Sequence, residues 1–553
     1  MKKVTFGILA ALMMASCDSN EDRPSVIEMP EEGIAARLTL SLPTAGSRSV
    51  TVTPDDNTNS DAGYEIGQDS ENHINSVLIV LADQVQNGTG VDYKFIAFAQ
   101  ADATEDNSDG ANLPKFTVRI KSPEILAKAE QEIFVFAYCN PTADIMSEVE
   151  ALQVGASFTD FNASLDANAP IWMANNFLMT NRDLCSKELP TEDEMKRSDI
   201  KKPIDLGTVK VQRAAARFDF ESTTVKDESK PNFYPVRSVY NEETIEGYVE
   251  LVGMSLINMS KTFNYLPMMS ANANWSNPVV CERENTNNWV VSTDYDFKST
   301  YTRGDASSYF DFAMSAPGFA PGNANYTMLS SLTDNDNDEN WQPGAEGETN
   351  YKIWRYATEN TIPGINNQLH GITTGVIFQG YLRGEAGSDL DKMLLSGKVL
   401  YAYEGHIYGD KDQLKAKAEE APTTTLAALY AELFTADNMD DNGDLKSTVE
   451  DGFTIYRPET VGSENVYPCY YYYYNRHDNN GDAIVMGQME FAVVRNNVYK
   501  LKVNSINEFG HPGKPGDDPD PEKPEDPDES PKTYFQLSVQ ALPWVVRVNT
   551  IDF

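Results

Sequence analysis

Cys17 has the clearest chemical assignment in the chain, because of what precedes it. Lys2 and Lys3 open the sequence, an apolar run extends from Val4 to Met14, and Ala15 and Ser16 stand directly before the cysteine. That order is a secretory signal ending in a lipoprotein cleavage site: the small residues let a peptidase approach, and the thiol becomes the lipid acceptor at the new N-terminus. The competing reading is an ordinary secretory signal in which Cys17 is incidental. The apolar run is too short for a bilayer core of about 30 Å, and no later stretch approaches the roughly 20 apolar residues of a spanning helix. The expectation is a signal over residues 1–16, lipidation of Cys17, and a link to the outer membrane made by the lipid.

Other chemistry finds little support. The five histidines, His73, His370, His406, His477 and His511, fall in no HExxH frame, and the chain has no GxSxG and no phosphate loop. Carboxylates are so numerous that any pair could be nominated for acid–base work, so their abundance points nowhere. No catalytic residue, cofactor or enzymatic activity is expected. Asp440, Asn442, Gly443 and Asp444 follow the start of an EF-hand loop, but Val449 stands where the bidentate glutamate belongs. An acidic surface turn is the better reading, and no metal is expected. Arg303–Gly304–Asp305 is a short adhesion-type triplet that chance also supplies. The five tyrosines 470–474 could form a sugar platform, yet alternation divides them between two sheet faces and strand propensity explains them. After Cys17 only Cys139, Cys185, Cys281 and Cys469 remain, widely spaced, which indicates neither a zinc site nor a dense disulfide scaffold.

With 84 acidic against 44 basic residues, the formal net charge is −40. Such a field repels nucleic acid and anionic membrane surfaces, and neither is an expected partner.

The elements that surround these residues read as strands. Residues 36–43, ARLTLSLP, place Leu38, Leu40 and Leu42 on one face and Arg37, Thr39 and Ser41 on the other. A long polar stretch follows around Arg48, of the kind proteases reach easily, and no other lysine or arginine lies between Arg37 and Lys94. Strand-like runs recur at 76–82, 94–101, 115–121 and 132–139, with a short helix expected at 123–131 behind Ser122 and Pro123. A second run opens at 207–221 and continues through 247–260, 375–384, 398–404, 467–475 and 496–506, with helical patterns at 411–421 and 423–434. Strands without regular βαβ alternation indicate antiparallel sandwiches. The fold class expected is all-β with a few short helices, in two sandwich domains, 49–206 and 207–509. Residues 510–532 form a Pro- and acid-rich linker able to reach about 60 to 70 Å when extended. Residues 533–553 close the chain with a well-patterned strand: Phe535, Leu537 and Val539 alternate with polar residues, and beyond Pro543 a second row comprises Trp544, Val546 and Val548.

The signal ending at Cys17, LTLSLPTAGSR with Arg48, VQRAAARFDFES, YATENT at 356–361, VVRNNVYKLKVNSI at 493–506, the acidic Pro linker and ALPWVVRVNTIDF together resemble the fimbrillins of Bacteroidales, in particular shaft subunits of the short, Mfa-type fimbria. The resemblance covers essentially the whole chain and is weakest in the loops from 270 to 350. It implies two transthyretin-like β-sandwich domains, export as a lipoprotein, and display on a cell-surface fimbria with a role in adhesion and biofilm formation. It further implies cleavage between Arg48 and Ser49 by an Arg-specific or trypsin-like protease, removing residues 17–48 with the first strand. Assembly would then join copies of the chain to one another and to fimbrial anchor and tip subunits by donor-strand exchange. Residues Phe535, Leu537, Val539, Trp544, Val546 and Val548 would fill the seat vacated by Leu38, Leu40 and Leu42. The rival readings are an accessory or tip subunit, and a monomeric surface lipoprotein that binds glycan or protein.

Overall fold

The structure, a computed structural model, describes residues 29–42, 65–102, 113–221, 232–237, 245–513, 515–516 and 535–545, apart from short interior stretches. The chain is mostly β-strand with a few short helices.

The first strand, β1 (Ile34–Ser41), carries the alternation read from its sequence: Ile34, Ala36, Leu38 and Leu40 are fully buried, and Leu42 packs half-buried on the same core. It begins earlier than the expected residue 36, because Gly33 turns the chain at φ +79° and Ile34 is already inside. Then follow β2 (Glu65–Ile66), the single turn α1 (Asp69–Asn72), β3 (Ser76–Asn87), β4 (Gly90–Asp102), β5 (Lys115–Ile120), β6 (Glu132–Cys139), β7 (Met179–Asn181) and β8 (Ile204–Arg213). Except for β2, these strands form one eight-stranded path in the order β4-β3-β6-β7-β8-β1-β5, with Ser186–Glu188 added beside β6. β8 belongs to two layers: Ile204 to Lys210 pair with β1, and Val211 to Arg213 pair with β7. The path therefore folds over at β8, and Val77, Ile79, Leu81, Phe116, Val118, Val209 and Val211 fill the space between its layers with the inward side chains of β1.

The second assembly contains β9 (Ala216–Glu221), β10 (Phe233–Arg237), β11 (Ile245–Ile257), β12 (Tyr351–Ala357), β13 (Gly375–Arg383), β14 (Pro468–Tyr474), β15 (Asn497–Ile506) and β16 (Phe535–Val545). A six-stranded sheet, β2-β16-β15-β9-β12 and Trp341–Gln342, faces a five-stranded one, β10-β11-β13-β14 with Tyr326–Met328 beside β11. Phe218, Phe220, Tyr499 and Leu501 from the first pack against Val249, Leu251, Phe378 and Tyr471 from the second.

Several expectations change. The run 207–221 is two strands in different sheets: β8 pairs with β1 and β7, and β9 with β12 and β15, so the change of sheet falls at Ala214–Ala215. Glu65 and Ile66, assigned to the first domain, lie in a sheet of the second. The segment 123–131 forms a 3-10 helix over Pro123–Lys128, and Ser122 gives its hydroxyl to the Ile96 carbonyl (3.3 Å) and the Glu124 carboxylate (2.5 Å) in place of capping. Cys139, Cys185, Cys281 and Cys469 are free thiols. Burial raises the pKa of Cys139, and pushes Cys469 up to about 12.

Candidate functional site

The structure gives the two terminal strands contrasting seats. β1 lies in the interior of its sheet, parallel to β8 on one side and antiparallel to β5 on the other. Leu38 stands opposite Phe116, and Leu40 opposite Val209. Burying Ile34, Leu38 and Leu40 contributes about 1.5 to 3 kcal/mol each, beside the ladder bonds to both neighbours. Without β1, β5 and β8 would each show a row of unpaired backbone groups flanking an apolar trough.

β16 is paired within its own chain. Nine of its residues form an antiparallel ladder with β15, from Phe535 opposite Ile506 to Pro543 opposite Asn497; Leu537 faces Val503 and Val539 faces Leu501. The irregularity in this ladder lies between Gln536 and Leu537. Beyond Pro543, Trp544 and Val545 pair in parallel with Glu65 and Ile66 of β2. Cys17, Arg48, Ser49, Val546 and Val548 lie outside the described residues, as does the Arg303–Asp305 triplet.

Between the two seats is a buried polar junction that sequence reading missed. Arg217 is fully buried; its Nε and Nη2 donate to both oxygens of Asp219 (2.8 and 2.7 Å), its Nη1 to Glu71 (2.9 and 3.2 Å), and its Nη2 reaches Glu65 (3.4 Å). Lys500 on β15 binds the other oxygen of Glu65 at 2.6 Å. Glu71 also accepts from the Tyr356 hydroxyl (2.7 Å) and the Gln68 backbone N–H (2.7 Å). Arg213 donates to the Glu71 carbonyl (3.1 Å), to Asn496 (3.3 Å) and to Asn72. Three cations, Arg213, Arg217 and Lys500, balance three carboxylates, Glu65, Glu71 and Asp219, as burial of charge demands. A second pair lies nearby: Arg495 grips Glu359 through two bonds (2.6 and 2.5 Å) and donates to the carbonyls of Tyr265 and Asn264, on a segment that pairs with Asn162–Ser164 of the first assembly. The motifs VQRAAARFDFES, YATENT and VVRNNVYKLKVNSI thus meet in one place.

Protonation there follows from burial and neighbours. Burial acts against the charge of Arg217, but Asp219 and Glu71 more than offset it and hold it above its ordinary range. Asp219 is pushed up to about 6 by burial, against the pull of Arg217. It shares that guanidinium with Glu71 and Glu65 and also feels the charge of Glu65, so desolvation wins for the carboxylate. Burial brings Arg213 down to about 10.

Two further sequence motifs lie among the described residues. Asp440 accepts from the backbone N–H of Asn442 (2.9 Å) and Asp444 (3.0 Å), closing a turn that Lys411 and Arg457 approach. Tyr470, Tyr471 and Tyr474 are buried on β14, and Tyr472 and Tyr473 are half-buried.

No curated protein sequence matches the chain. Solved structures similar to it include one of a candidate cell adhesion protein from Parabacteroides distasonis (12% identity, 94% of this chain and 99% of that one covered, TM-score 0.38). Others are a fimbrilin, fimA, from Porphyromonas gingivalis (13%, 95% and 100%, TM-score 0.36) and the tip fimbrial protein Mfa3 from the same species, truncated at its C-terminus (11%, 92% and 100%, TM-score 0.32). Residues 465–550, which contain β14, β15 and β16, match the family described as major fimbrial subunit protein type IV, Fimbrillin, C-terminal. The likeness to that family is thus carried by the C-terminal region of the chain.

Proposed function

We propose that the chain is a structural subunit of a cell-surface fimbria, exported as a lipoprotein on Cys17, cut between Arg48 and Ser49, and polymerised when the C-terminal strand of one copy takes the seat of β1 in the next. The observation that carries this reading is the position of β1: an interior strand, joined to the rest of the chain through the segment that holds Arg48. One cut there severs its covalent link and lets the strand depart. What remains is a trough of the right kind for an alternating apolar strand, which main-chain hydrogen bonds would hold and side-chain sockets would select. The role is mechanical and not catalytic. Its partners are other copies of the chain, anchor and tip subunits, and an Arg-specific or trypsin-like protease; the adhesion receptor is a separate question.

The test is to treat purified full-length protein with an Arg-specific protease and follow it by electron microscopy and by gels of unboiled samples. Fibres and ladders whose subunits begin at Ser49 are the expected result, and a cleaved chain that stays monomeric would overturn the reading. The internal pairing of β16 favours, as a second reading, a closed monomer that acts alone on its lipid; the same experiment separates the two.

A further inference from the structure

We propose that residues 65–72 are a clasp that retains the C-terminal strand in its own subunit, with Glu65 and Glu71 as its positioning residues. The inference rests on the reading of β16 as the strand to be donated, and it adds a control on when donation occurs. β16 is held along one side by β15, while on its other side, among the described residues, Trp544 and Val545 alone are paired, with Glu65 and Ile66. A two-residue strand has negligible hold of its own. What fixes β2 is side-chain chemistry: Glu65 sits between Lys500 and Arg217, and Glu71 is gripped by Arg217 and Tyr356 while its carbonyl and Asn72 take Arg213. Lys500 is opposite Gln540 in the ladder with β16, so one ammonium group ties β2 to the strand on which β16 lies.

The place of the clasp in the chain gives it meaning. Residues 65–72 follow the Arg48 segment, so a cut after Arg48 detaches β1 and leaves the clasp on the mature subunit. Cutting opens the acceptor trough; it does not free the donor. Freeing the donor requires the ladder at 544–545 to part from a β2 that buried ion pairs hold in place, and separating such pairs leaves uncompensated charge. Polymerisation then has two independent controls, one proteolytic and one conformational, and an uncut or newly cut subunit does not present its strand prematurely to the wrong partner.

Amide hydrogen exchange of the intact, uncut chain tests this without any polymerisation. Glu65→Gln should speed exchange within 535–545 at least tenfold and leave β1 and β13 unchanged. Ile66→Pro, which disturbs the ladder and spares every charge of the cluster, should do the same and decides the matter where Glu65→Gln does not fold. Glu359→Gln, which weakens the neighbouring Arg495 pair outside the clasp, should not act selectively on 535–545. Unchanged exchange in both clasp variants, a rise spread evenly over all strands, or an equal effect from Glu359→Gln would overturn the proposal. If exchange rises selectively and yet the cut variant forms fibres with residues 535–553 deleted, the clasp stands and the assignment of the donated strand falls.

Discussion

β1 and β16 are both terminal strands with alternating apolar sequence, and they are held in opposite ways. β1 is bonded on both sides and its inward side chains are fully buried, so it cannot leave without opening a core. Among the described residues, β16 is bonded along one side and clipped at one end, by a single ladder and two further pairings. The difference suits two roles. A strand whose departure must be irreversible is best embedded and released by a covalent cut, whereas a strand that must travel intact is best held at an edge. Proteins ordinarily blunt such edges; here the edge of β15 is covered by β16, the strand proposed to be donated.

The largest expected effect comes from blocking the cut. Arg48→Ala should abolish assembly outright, because β1 stays in its seat and no other lysine or arginine lies nearby in the segment. Full-length, folded monomer is the predicted product after protease treatment. Fibres from that variant would show that the trough is not where subunits join.

Deleting residues 534–553 tests the other strand. Phe218, Phe220, Val249, Leu251 and Phe378 pack together within the second core, so the truncated subunit should fold, be cut, and fail to donate while still accepting a strand from intact copies. Mixed with intact protein, it should shorten fibres in proportion to its share, which electron microscopy measures. Long fibres from the truncated chain alone would exclude β16 as donor.

Leu40→Ala sharpens the contrast between precursor and mature forms. Leu40 is fully buried on β1, and such a truncation costs about 2 to 5 kcal/mol. Thermal or urea unfolding should show that loss in the uncut precursor. After cleavage and release of β1, the variant and the parent should be indistinguishable, since the altered residue has gone. Equal destabilisation of both forms would mean that β1 stays bound after the cut.

The sequence made β1 legible because an alternating strand needs only its own residues to be recognised. The same holds for β3, where Val77, Ile79 and Leu81 face one core and Leu78 and Val80 the other. The change of sheet at Ala214–Ala215 is not legible in the run 207–221, because nothing in its pattern marks where a continuous extended chain passes from one sheet to another. The junction was illegible for a related reason. Arg217 finds Glu71 at 146 positions' distance in sequence and Tyr356 finds it at 285, so no local window contains both halves of either contact. One signal was available: Arg213, Arg217 and Asp219 stand in an otherwise apolar run, and charges that cannot reach water must have partners. The pairing of β16 with β15 was equally hidden, since a long linker of unspecified path separates them.

The smallest effect concerns pH, and it turns on Asp219. Its carboxyl is pushed up to about 6 in the folded chain, chiefly by burial, against about 3.9 when unfolded. Between those values the folded state therefore binds a proton that the unfolded state has lost. Stability then falls as pH rises through this window, because the slope follows the protons bound by the unfolded minus the folded state. Arg217 and Lys500 pull the carboxyl down while Glu65 raises it, so the net direction reflects desolvation more than pairing. Asp219→Asn removes the titrating group and keeps the shape, though it weakens the contact to Arg217. Measured from pH 4 to 6, the stability of the parent relative to the variant should decline by an amount on the order of 1 to 3 kcal/mol, and the rest of the pH profile, set by other carboxylates, should be shared. A relative stability that rises over this range would mean that pairing with Arg217 outweighs burial, and that the junction holds its ions more firmly as the solution becomes less acidic.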